Sequence, residues 1–380
     1  MSQVPYWRLS GFYLFYFATV GTFLPFWGLY LESLTFSPSE IGELMALLVV
    51  GKIIAPYLWG WIADHKGNRM SVIRFAGLAS IVVFTGALFT TSYVGLALVM
   101  LVFGFFWSAS LPQFEAVTLN HLGDEVHAYT RIRLWGSIGF IITVIVLGAV
   151  LEHYGVQPLP WIVFMMIVGI WITSLWVPDD LPHGHTVDHE PIIKVIRQPT
   201  VLAMMAVFFL MQVGHGAYYS FYSLYLEKFD YSRTVIGQLW ALGVIAEVGL
   251  FLIMFKLFRR YSLRSLLLTS LLCAAFRWFV IAYFPEKELI IVSVQLLHAA
   301  TFGIHHAVAI QLIHRYFKGQ HQGRGQALYS SMSFGAGGAV GSLLSGYIWE
   351  DVGASEAFVF AGLISLLAAV IAWKWVRPHV

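Results

Sequence analysis

Charged residues are scarce in this 380-residue chain: Asp, Glu, Lys and Arg make up 11% of it, whereas 59% is hydrophobic. This polar surface is too small to cover a water-soluble globule of that size, so the composition indicates a protein that lies in lipid. A single cysteine, Cys273, excludes a disulfide framework and a cysteine-built metal site. The net charge of +2 is spread over loops without a dense basic face, which excludes nucleic acid as a partner.

Two further signals are missing from the chain. No Gly-x-x-x-x-Gly-Lys-Ser/Thr loop occurs, so ATP is not the expected energy source. The apolar stretch after Arg8 lacks a small-residue cleavage site and suits a retained membrane span. We therefore expect no cofactor, and any process that needs energy would draw on a gradient and not on ATP.

Apolar stretches of the required length, about 20 residues, occur twelve times. The first six lie near residues 7–31, 40–62, 71–90, 94–118, 132–151 and 159–177. The second six lie near residues 200–226, 235–258, 264–284, 289–314, 325–348 and 354–376. The predicted fold is an all-α membrane protein with 12 transmembrane helices.

A polar segment separates the two sets of spans. It contains prolines, acidic residues and three histidines, His183, His185 and His189, and a solvated linker is favoured over a metal site. The predicted domains are a six-helix bundle at 1–178, a cytoplasmic linker at 179–199 and a second bundle at 200–380. Most Lys and Arg residues lie in the even-numbered connections and near the two ends, which predicts cytoplasmic termini in a bacterial inner membrane.

The two halves are related in sequence. A shift of 195 residues lays Phe26–Lys52 over Phe221–Glu247 with 12 identities in 27 positions, including a shared Tyr-Leu-Glu and Ile-Gly. The chain is therefore an internal duplicate, and the same register superposes Lys52 on Glu247. Two parallel six-helix repeats are typical of transporters that bind solute near the midplane between halves that rock alternately.

Several charged side chains fall inside the predicted spans. A charge at the bilayer centre costs about 2.5–3.5 kcal/mol on insertion scales, so it must face a partner or water. Lys52, Glu115, Glu247 and Arg277 are therefore candidate functional residues. The alternative is structural, with Lys52 and Glu247 bridging the halves or Glu247 pairing with Arg277. A carboxylate in a dry site is favoured in its protonated form, which makes Glu115 and Glu247 candidate proton carriers.

Uncharged polar side chains and histidines interrupt the seventh and tenth spans: Gln212, His215, Gln295, His298, His305 and His306. Each histidine could relay protons, donate hydrogen bonds to substrate or simply pack, and His298 is the preferred functional candidate. A metalloenzyme built on His305, His306 and His314 is disfavoured. The first two point to different faces of the helix, and His314 has no nearby carboxylate.

The turn after the second span reads Gly60-Trp-Ile-Ala-Asp64-His-Lys-Gly67-Asn-Arg69. It resembles the Gly-x-x-x-Asp-x-x-Gly-x-Arg/Lys loop of the major facilitator superfamily. The resemblance implies the major facilitator fold, with two pseudo-symmetric six-helix bundles. It also implies a cytoplasmic gate formed by Gly60, Asp64, Gly67 and Arg69. The second half has arginines at the corresponding turn but lacks the Asp.

A second motif is Pro112-Gln-Phe-Glu115-Ala followed by Arg131-Ile-Arg133-Leu-Trp-Gly136-Ser-Ile-Gly139-Phe. It resembles the phenylpropionate permease family and the related lactose permease group, and it implies that Glu115 and Arg133 bind substrate. Glu247, Arg277 and His298 look like that group's helix 8 Glu, helix 9 Arg and helix 10 His. Thr301 stands where the group has a proton-carrying Glu.

Together these features predict a symporter that imports a small organic solute, first an aromatic carboxylate such as 3-phenylpropionate, with the proton as coupling ion. The predicted substrate-binding residues are Glu115, Arg133, Lys52, Arg277 and His298, and the predicted proton-coupling residues are Glu247 and Glu115. Sugar or nucleoside symport and drug efflux are the alternatives, and a polytopic membrane enzyme is disfavoured. We expect a monomer surrounded by membrane lipid.

Overall fold

The computed structural model describes residues 4–123, 125, 128–179, 192–319 and 321–376. These residues are helical or lie in turns, and none of them is in a β-strand. Much of the predicted linker at 179–199, including His183, His185 and His189, lies outside the described residues. A short helix, Ile193–Ile196, precedes the second set of long helices.

Twelve long helices follow one another in the described part of the chain. The first six are α1 (Tyr6–Ser33), α2 (Pro38–Val50, the 3₁₀ turn Gly51–Ile53 and Ala55–Lys66), α3 (Arg69–Phe84 with the 3₁₀ turn Thr85–Leu88), α4 (Tyr93–Leu122), α5 (Tyr129–Tyr154) and α6 (Leu159–Trp176). The last six are α7 (Pro199–Gly214 and Gly216–Glu227), α8 (Arg233–Arg260), α9 (Leu263–Tyr283), α10 (Glu288–Leu296, the π-helical Ala299–Ile304 and His305–Tyr316), α11 (His321–Ser330, the π-helical Ser331–Gly337 and Gly338–Asp351) and α12 (Ala354–Trp375). Each of the twelve predicted spans corresponds to one of these helices.

Length and apolar composition qualify eleven of the described helices as membrane spans. The remaining helix, α11, is rich in Gly and Ser and therefore less apolar, but its segments cover the predicted span 325–348. Several helices extend past the predicted spans: α4 continues to Leu122, although the apolar stretch ends near 118. Polar side chains at a helix end do not interrupt the backbone hydrogen bonds, so hydropathy underestimates helix length.

Side-chain caps mark where three of the helices begin. Asn68 accepts a hydrogen bond from the backbone N–H of Ser71 at the start of α3, and Ser92 and Ser262 cap α4 and α9 in the same way. These bonds satisfy backbone donors that have no partner within the helix. The short polar connections of the sequence are therefore helix boundaries with a defined geometry.

The described residues form two compact units. The first comprises those within Met1–Phe36, Leu47–Gly184 and Ser232–Ala241, and the second those within Ser37–Ala46, His185–Tyr231 and Leu242–Val380. The first turns of α2 thus pack with the second unit, and the first turns of α8 pack with the first. The division at the linker, 1–178 against 200–380, stays a prediction from sequence.

A close helix crossing in each unit explains this exchange. In the second unit, a Cβ atom on Gly42 of α2 would lie 2.7 Å from the Ser342 carbonyl oxygen of α11. In the first unit, a Cβ atom on Gly148 of α5 would lie 2.6 Å from the Arg233 carbonyl oxygen of α8. Only glycine lets these backbones approach so closely. Gly42 and Gly237, the glycine of α8 at the second crossing, are equivalent in the 195-residue register.

Hydrogen bonds reinforce both crossings. In the second unit, Tyr347 donates its hydroxyl to Glu43 at 2.6 Å, and Glu350 accepts the backbone N–H of Ser39 at 2.8 Å. In the first unit, Glu152 accepts the backbone N–H of Arg233 at 2.6 Å. Each crossing is therefore stabilised by hydrogen bonds within its own unit.

Candidate functional site: two clusters of intramembrane charge

The first cluster joins Glu115 of α4 to Arg133 of α5, the two residues that the second sequence motif contains. The Arg133 Nε lies 4.0 Å from Glu115 Oε1, and Tyr129 donates its hydroxyl to the same oxygen at 3.4 Å. The two side chains keep 31% and 38% of their surface exposed. The ion pair is long and accessible, so a ligand could contact either partner.

Aromatic rings of α1 surround the Arg133 guanidinium. Its central carbon lies 3.9 Å from the centre of the Phe17 ring and 5.6 Å from that of Tyr13. A Cβ atom on Gly136 would approach Arg133 Nη1 to 2.8 Å and Phe17 to 2.7 Å, so glycine makes room for this contact. A Cβ atom on Gly139 would clash with the Leu14 carbonyl, so glycine permits the close approach of α1 and α5 here as well. The arrangement combines a cation with aromatic faces, the chemistry of a cation–π site.

Lys52 lies in the 3₁₀ turn that interrupts α2. Its ammonium nitrogen is 5.7 Å from the ring centre of Trp107, which stacks in turn on Tyr16 and Phe103. Among the residues that the structure describes, no carboxylate is within ion-pair distance of Lys52. Its predicted role in substrate binding stays a prediction.

The second cluster centres on Arg277 of α9, whose side chain is completely buried. Its guanidinium donates to Gln295 Oε1 at 2.8 Å, to Thr301 Oγ1 at 3.2 Å and to His298 Nδ1 at 3.2 Å, all on α10. The guanidinium also lies over the Tyr218 ring at 4.4 Å. Gln295 completes the cluster by donating to the Tyr218 hydroxyl at 2.7 Å.

Glu247 joins this cluster through His298. Its Oε2 lies 3.7 Å from His298 Nε2, and both side chains are largely buried. Because guanidinium only donates, His298 Nδ1 must accept from Arg277, so a neutral His298 carries its proton on Nε2, facing Glu247. The predicted trio of Glu247, Arg277 and His298 is thus assembled with histidine between the two charges. The alternative of a direct Glu247–Arg277 pair is not what the described contacts show.

The predicted gate residues come together at the turn between α2 and α3. Arg69 contacts Asp64 Oδ1 at 2.5 Å and donates to Gln113 Oε1 of α4 at 2.5 Å. Gly67 ends α2 with φ of 66°, a left-handed conformation that favours glycine, and Gly60 lies close to the Gln113 amide. Arg69 therefore ties this turn to a neighbouring helix, whereas its role as a cytoplasmic gate stays a prediction.

Three contact residues were not singled out by the sequence. Tyr129 could have been found one turn before Arg133, because residues four apart share a helix face. Gln113 lies two residues before Glu115 in the same quoted motif, but nothing in the sequence links it to Arg69. Tyr218 is one of many tyrosines in α7, and no sequence signal separates it from the others. Within the described residues, no group of three metal-ligating side chains occurs, His305, His306 and His314 included.

A duplicated twelve-helix chain with charged clusters inside its membrane helices defines a multi-pass membrane transporter. The model of the MFS_1 like family matches residues 6–360, and the chain belongs to this family. It is 29% identical to the probable 3-phenylpropionic acid transporter of Escherichia coli (strain K12), covering 98% of this chain and 97% of that protein. The E. coli nucleoside permease NupG is 23% identical over 95% of this chain and 94% of its own length.

Solved structures agree on the architecture. The crystal structure of the nucleoside transporter NupG superposes with a TM-score of 0.81 at 18% identity, covering 98% of this chain and 99% of that one. The predicted major facilitator fold is therefore confirmed. The protein is a transporter of the major facilitator type and not an enzyme.

Proposed function

We propose that this protein is a proton-coupled symporter of the bacterial inner membrane that imports a small aromatic carboxylate, such as 3-phenylpropionate, by alternating access. The observation that carries the proposal is the environment of Arg277, a buried guanidinium whose described hydrogen-bond partners are all uncharged in the tautomer assigned to His298. The relative named as a probable 3-phenylpropionic acid transporter supports the choice of ligand.

Arg277 has no direct anionic partner among the described residues, because the contact that Glu247 makes in this cluster is with His298. Taking an ion out of water costs several kcal/mol, and neutral hydrogen-bond partners compensate this cost only in part. Within the described residues no carboxylate lies within ion-pair distance of Arg277, and its Nε has no hydrogen-bond acceptor. A substrate carboxylate would supply the missing charge and match the planar donor pattern of the guanidinium.

The first unit offers complementary chemistry for the same ligand class. Arg133 is partly exposed and only loosely paired with Glu115, so its guanidinium can accept a second anion. The Phe17 and Tyr13 rings beside it offer faces for a substrate ring. The substrate-binding residues that we propose are those predicted from the sequence: Glu115, Arg133, Lys52, Arg277 and His298.

Glu247 and Glu115 are the proposed proton carriers. Glu247 faces the Nε2 proton of His298, so a proton arriving at this carboxylate weakens its attraction for His298 and, through it, changes the charge around Arg277. Thr301, which accepts a hydrogen bond from Arg277, stands where the lactose permease group has a proton-carrying Glu. Because threonine has no carboxylate, we assign the proton to another residue. Glu115 could respond in the same manner to Arg133.

Uptake into proteoliposomes tests the coupling. With an inward proton gradient, labelled 3-phenylpropionate is expected to accumulate above its external concentration, and a protonophore should abolish the accumulation. Undiminished accumulation after the gradient has collapsed would rule out symport. A reversed gradient is the matched control and should drive efflux from preloaded vesicles.

Thermal stabilisation tests the carboxylate site directly, because a ligand of the native state raises the unfolding midpoint. We expect 3-phenylpropionate to stabilise the wild type, and its neutral amide to have little effect. Arg277→Gln should lose the stabilisation, whereas Arg277→Lys should keep part of it because it retains the charge. Equal stabilisation by the acid and the amide would refute a site built for a carboxylate.

Nucleoside transport is a second candidate, motivated by the sequence similarity to the nucleoside permease. Its polar, uncharged ligand would hydrogen-bond to Gln295, His298 and Glu247 without neutralising Arg277. Stabilisation by uridine at concentrations where 3-phenylpropionate has no effect would favour this function over the first.

A further inference from the structure

A second set of buried polar groups lies in the second unit, on α7 and α10, outside the Arg277 cluster. His305 is 1% exposed and neither of its ring nitrogens has a hydrogen-bond partner among the described residues. His215 is completely buried, and its Nε2 lacks a partner in the same way, as does the Oε1 of the buried Gln212. Leaving such a group unsatisfied costs about 1–3 kcal/mol, so four of them call for a ligand.

These groups face one another. Phe208, Gln212 and His215 are four and three residues apart and share one face of α7. The Phe208 ring lies 5.5 Å from the His305 ring, edge to face, which places His305 against that face. The His215 ring interacts electrostatically with His305, His298 and Arg277.

Further polar groups lie next to His305 on α10 and α11. The neighbouring His306 also interacts electrostatically with His305, and its Nδ1 lies 3.0 Å from the Tyr329 hydroxyl of α11. The π-helical segments Ala299–Ile304 and Ser331–Gly337 lie directly before and after these contacts in α10 and α11. Such segments occur often at functional sites, because they change which side chains face inward.

The chemistry of the free groups specifies the ligand. His215 Nδ1 lies 2.9 Å from the Met211 carbonyl, which only accepts, so the ring proton is on Nδ1 and Nε2 is an acceptor. Gln212 Oε1 is an acceptor too, and a neutral His305 offers one donor and one acceptor. These are three acceptors and one donor, and water molecules, which donate through two O–H bonds and accept through a lone pair, can satisfy both kinds of group.

The fold itself does not require this polarity. In the 195-residue register, Phe17 and Val20 of α1 stand where α7 has Gln212 and His215. The first repeat therefore builds the same helix with apolar side chains. The positions of Gln212 and His215 are therefore polar only in the repeat that contains the Glu247–His298–Arg277 cluster.

We propose that Gln212, His215 and His305 hold ordered water, and that this water and His305 carry protons between the Glu247–His298–Arg277 cluster and the His306–Tyr329 pair. Water accepts a proton from one neighbour as it releases another, and His305 takes a proton at one ring nitrogen as it gives one up at the other. One proton enters and one leaves, and no bond between heavy atoms changes. Gln212 and His215 are positioning residues. The relay depends on the proposed proton coupling, whereas the water site does not.

Radiolytic hydroxyl-radical footprinting of the purified protein tests for the water. Radicals formed from bound water should oxidise Phe208 although it is completely buried, while Phe12, equally buried against Phe114, should stay protected. His305→Phe should lower Phe208 oxidation on the order of tenfold, whereas His305→Gln should preserve it because the amide still binds water. Equal protection of Phe208 and Phe12 in the wild type would overturn the water site.

Transport by the same variants tests the relay. Both His305→Phe and His305→Gln should lower the rate of gradient-driven accumulation on the order of a hundredfold or more, a typical contribution of a proton-transfer residue. Both should retain substrate exchange at equal concentrations across the membrane, which needs no net proton flow. His314→Gln, at an exposed site on the same helix, is the control. Gradient-driven accumulation that survives in His305→Gln would overturn the relay. A wild type whose accumulation is insensitive to a protonophore would overturn both the symport and the relay. The footprinting result would still decide whether the water site exists.

Discussion

Replacing Gly237 with Ala should destabilise the protein by forcing α8 away from α5. A Cβ atom at this position would clash with the Val144 carbonyl oxygen and lie 3.3 Å from the Gly148 Cα. Both contacts are to backbone, which cannot rotate away as a side chain can. Overpacking of this kind costs about 1–3 kcal/mol, against a gain of about 1 kcal/mol because Ala favours the helix more than Gly.

Gly249 supplies a matched control in the same helix. A Cβ atom there meets no other atom within 4 Å, so Gly249→Ala should show the helix gain alone. The gain from the higher helix propensity of Ala is common to both substitutions, so it cancels when their free energies of unfolding are subtracted. The free energy of unfolding of Gly237→Ala should therefore fall below that of Gly249→Ala by about 1–3 kcal/mol, which is the cost of overpacking the crossing.

Denaturant-induced unfolding of the two variants in one detergent measures this difference, with tryptophan fluorescence as the probe. The wild type should lie between the variants or close to Gly237→Ala. Equal stability of Gly237→Ala and Gly249→Ala would refute the close crossing of α5 and α8. The packing of the first turns of α8 with the first unit would then need another explanation.

Two further substitutions test the turn between α2 and α3 and the cluster around Arg133. Arg69→Gln removes the contacts with Asp64 and Gln113. Because the ion pair is partly exposed, the free energy of unfolding should change by less than about 1 kcal/mol. The initial uptake rate should fall severalfold, and Arg69→Lys should keep part of that rate. A wild-type rate in Arg69→Gln would argue against a gate at this turn. Phe17→Leu removes the ring under Arg133, and the loss of about 0.5–2 kcal/mol should weaken substrate binding roughly twofold to thirtyfold, measured by calorimetry, with Phe17→Tyr as the conservative control. Unchanged affinity in Phe17→Leu would exclude the ring from the binding site.

The membrane spans and the duplication could be predicted from the sequence because both are local properties. Hydropathy is a sum over about 20 neighbouring residues, and a repeat is visible wherever identities keep a fixed register. The same reasoning identified charged residues inside spans, because a charge there is costly wherever the helix points. The association of Glu115 with Arg133 came from a family-like spacing, and the structure places the two side chains 4.0 Å apart.

The partners of these charges could not be predicted in the same manner. Which side chain faces Arg277 depends on how α9 and α10 rotate about their own axes, and hydropathy does not report this rotation. Gln295 and Thr301 therefore gained their roles only from the structure. The contacts of His298 with both Glu247 and Arg277 likewise became visible only in the structure.

The sequence by itself determined the class of protein, through its membrane-spanning helices, its two repeats and the few charged residues whose burial in lipid is costly. Only the tertiary structure decided the close crossings at Gly42 and Gly237, the turn that carries Lys52 and the contact of Arg69 with Gln113. The physical reason is the range of the forces involved. Partition into lipid acts on each segment alone, whereas hydrogen bonds and backbone contacts act over 3–4 Å and exist only once the helices have packed.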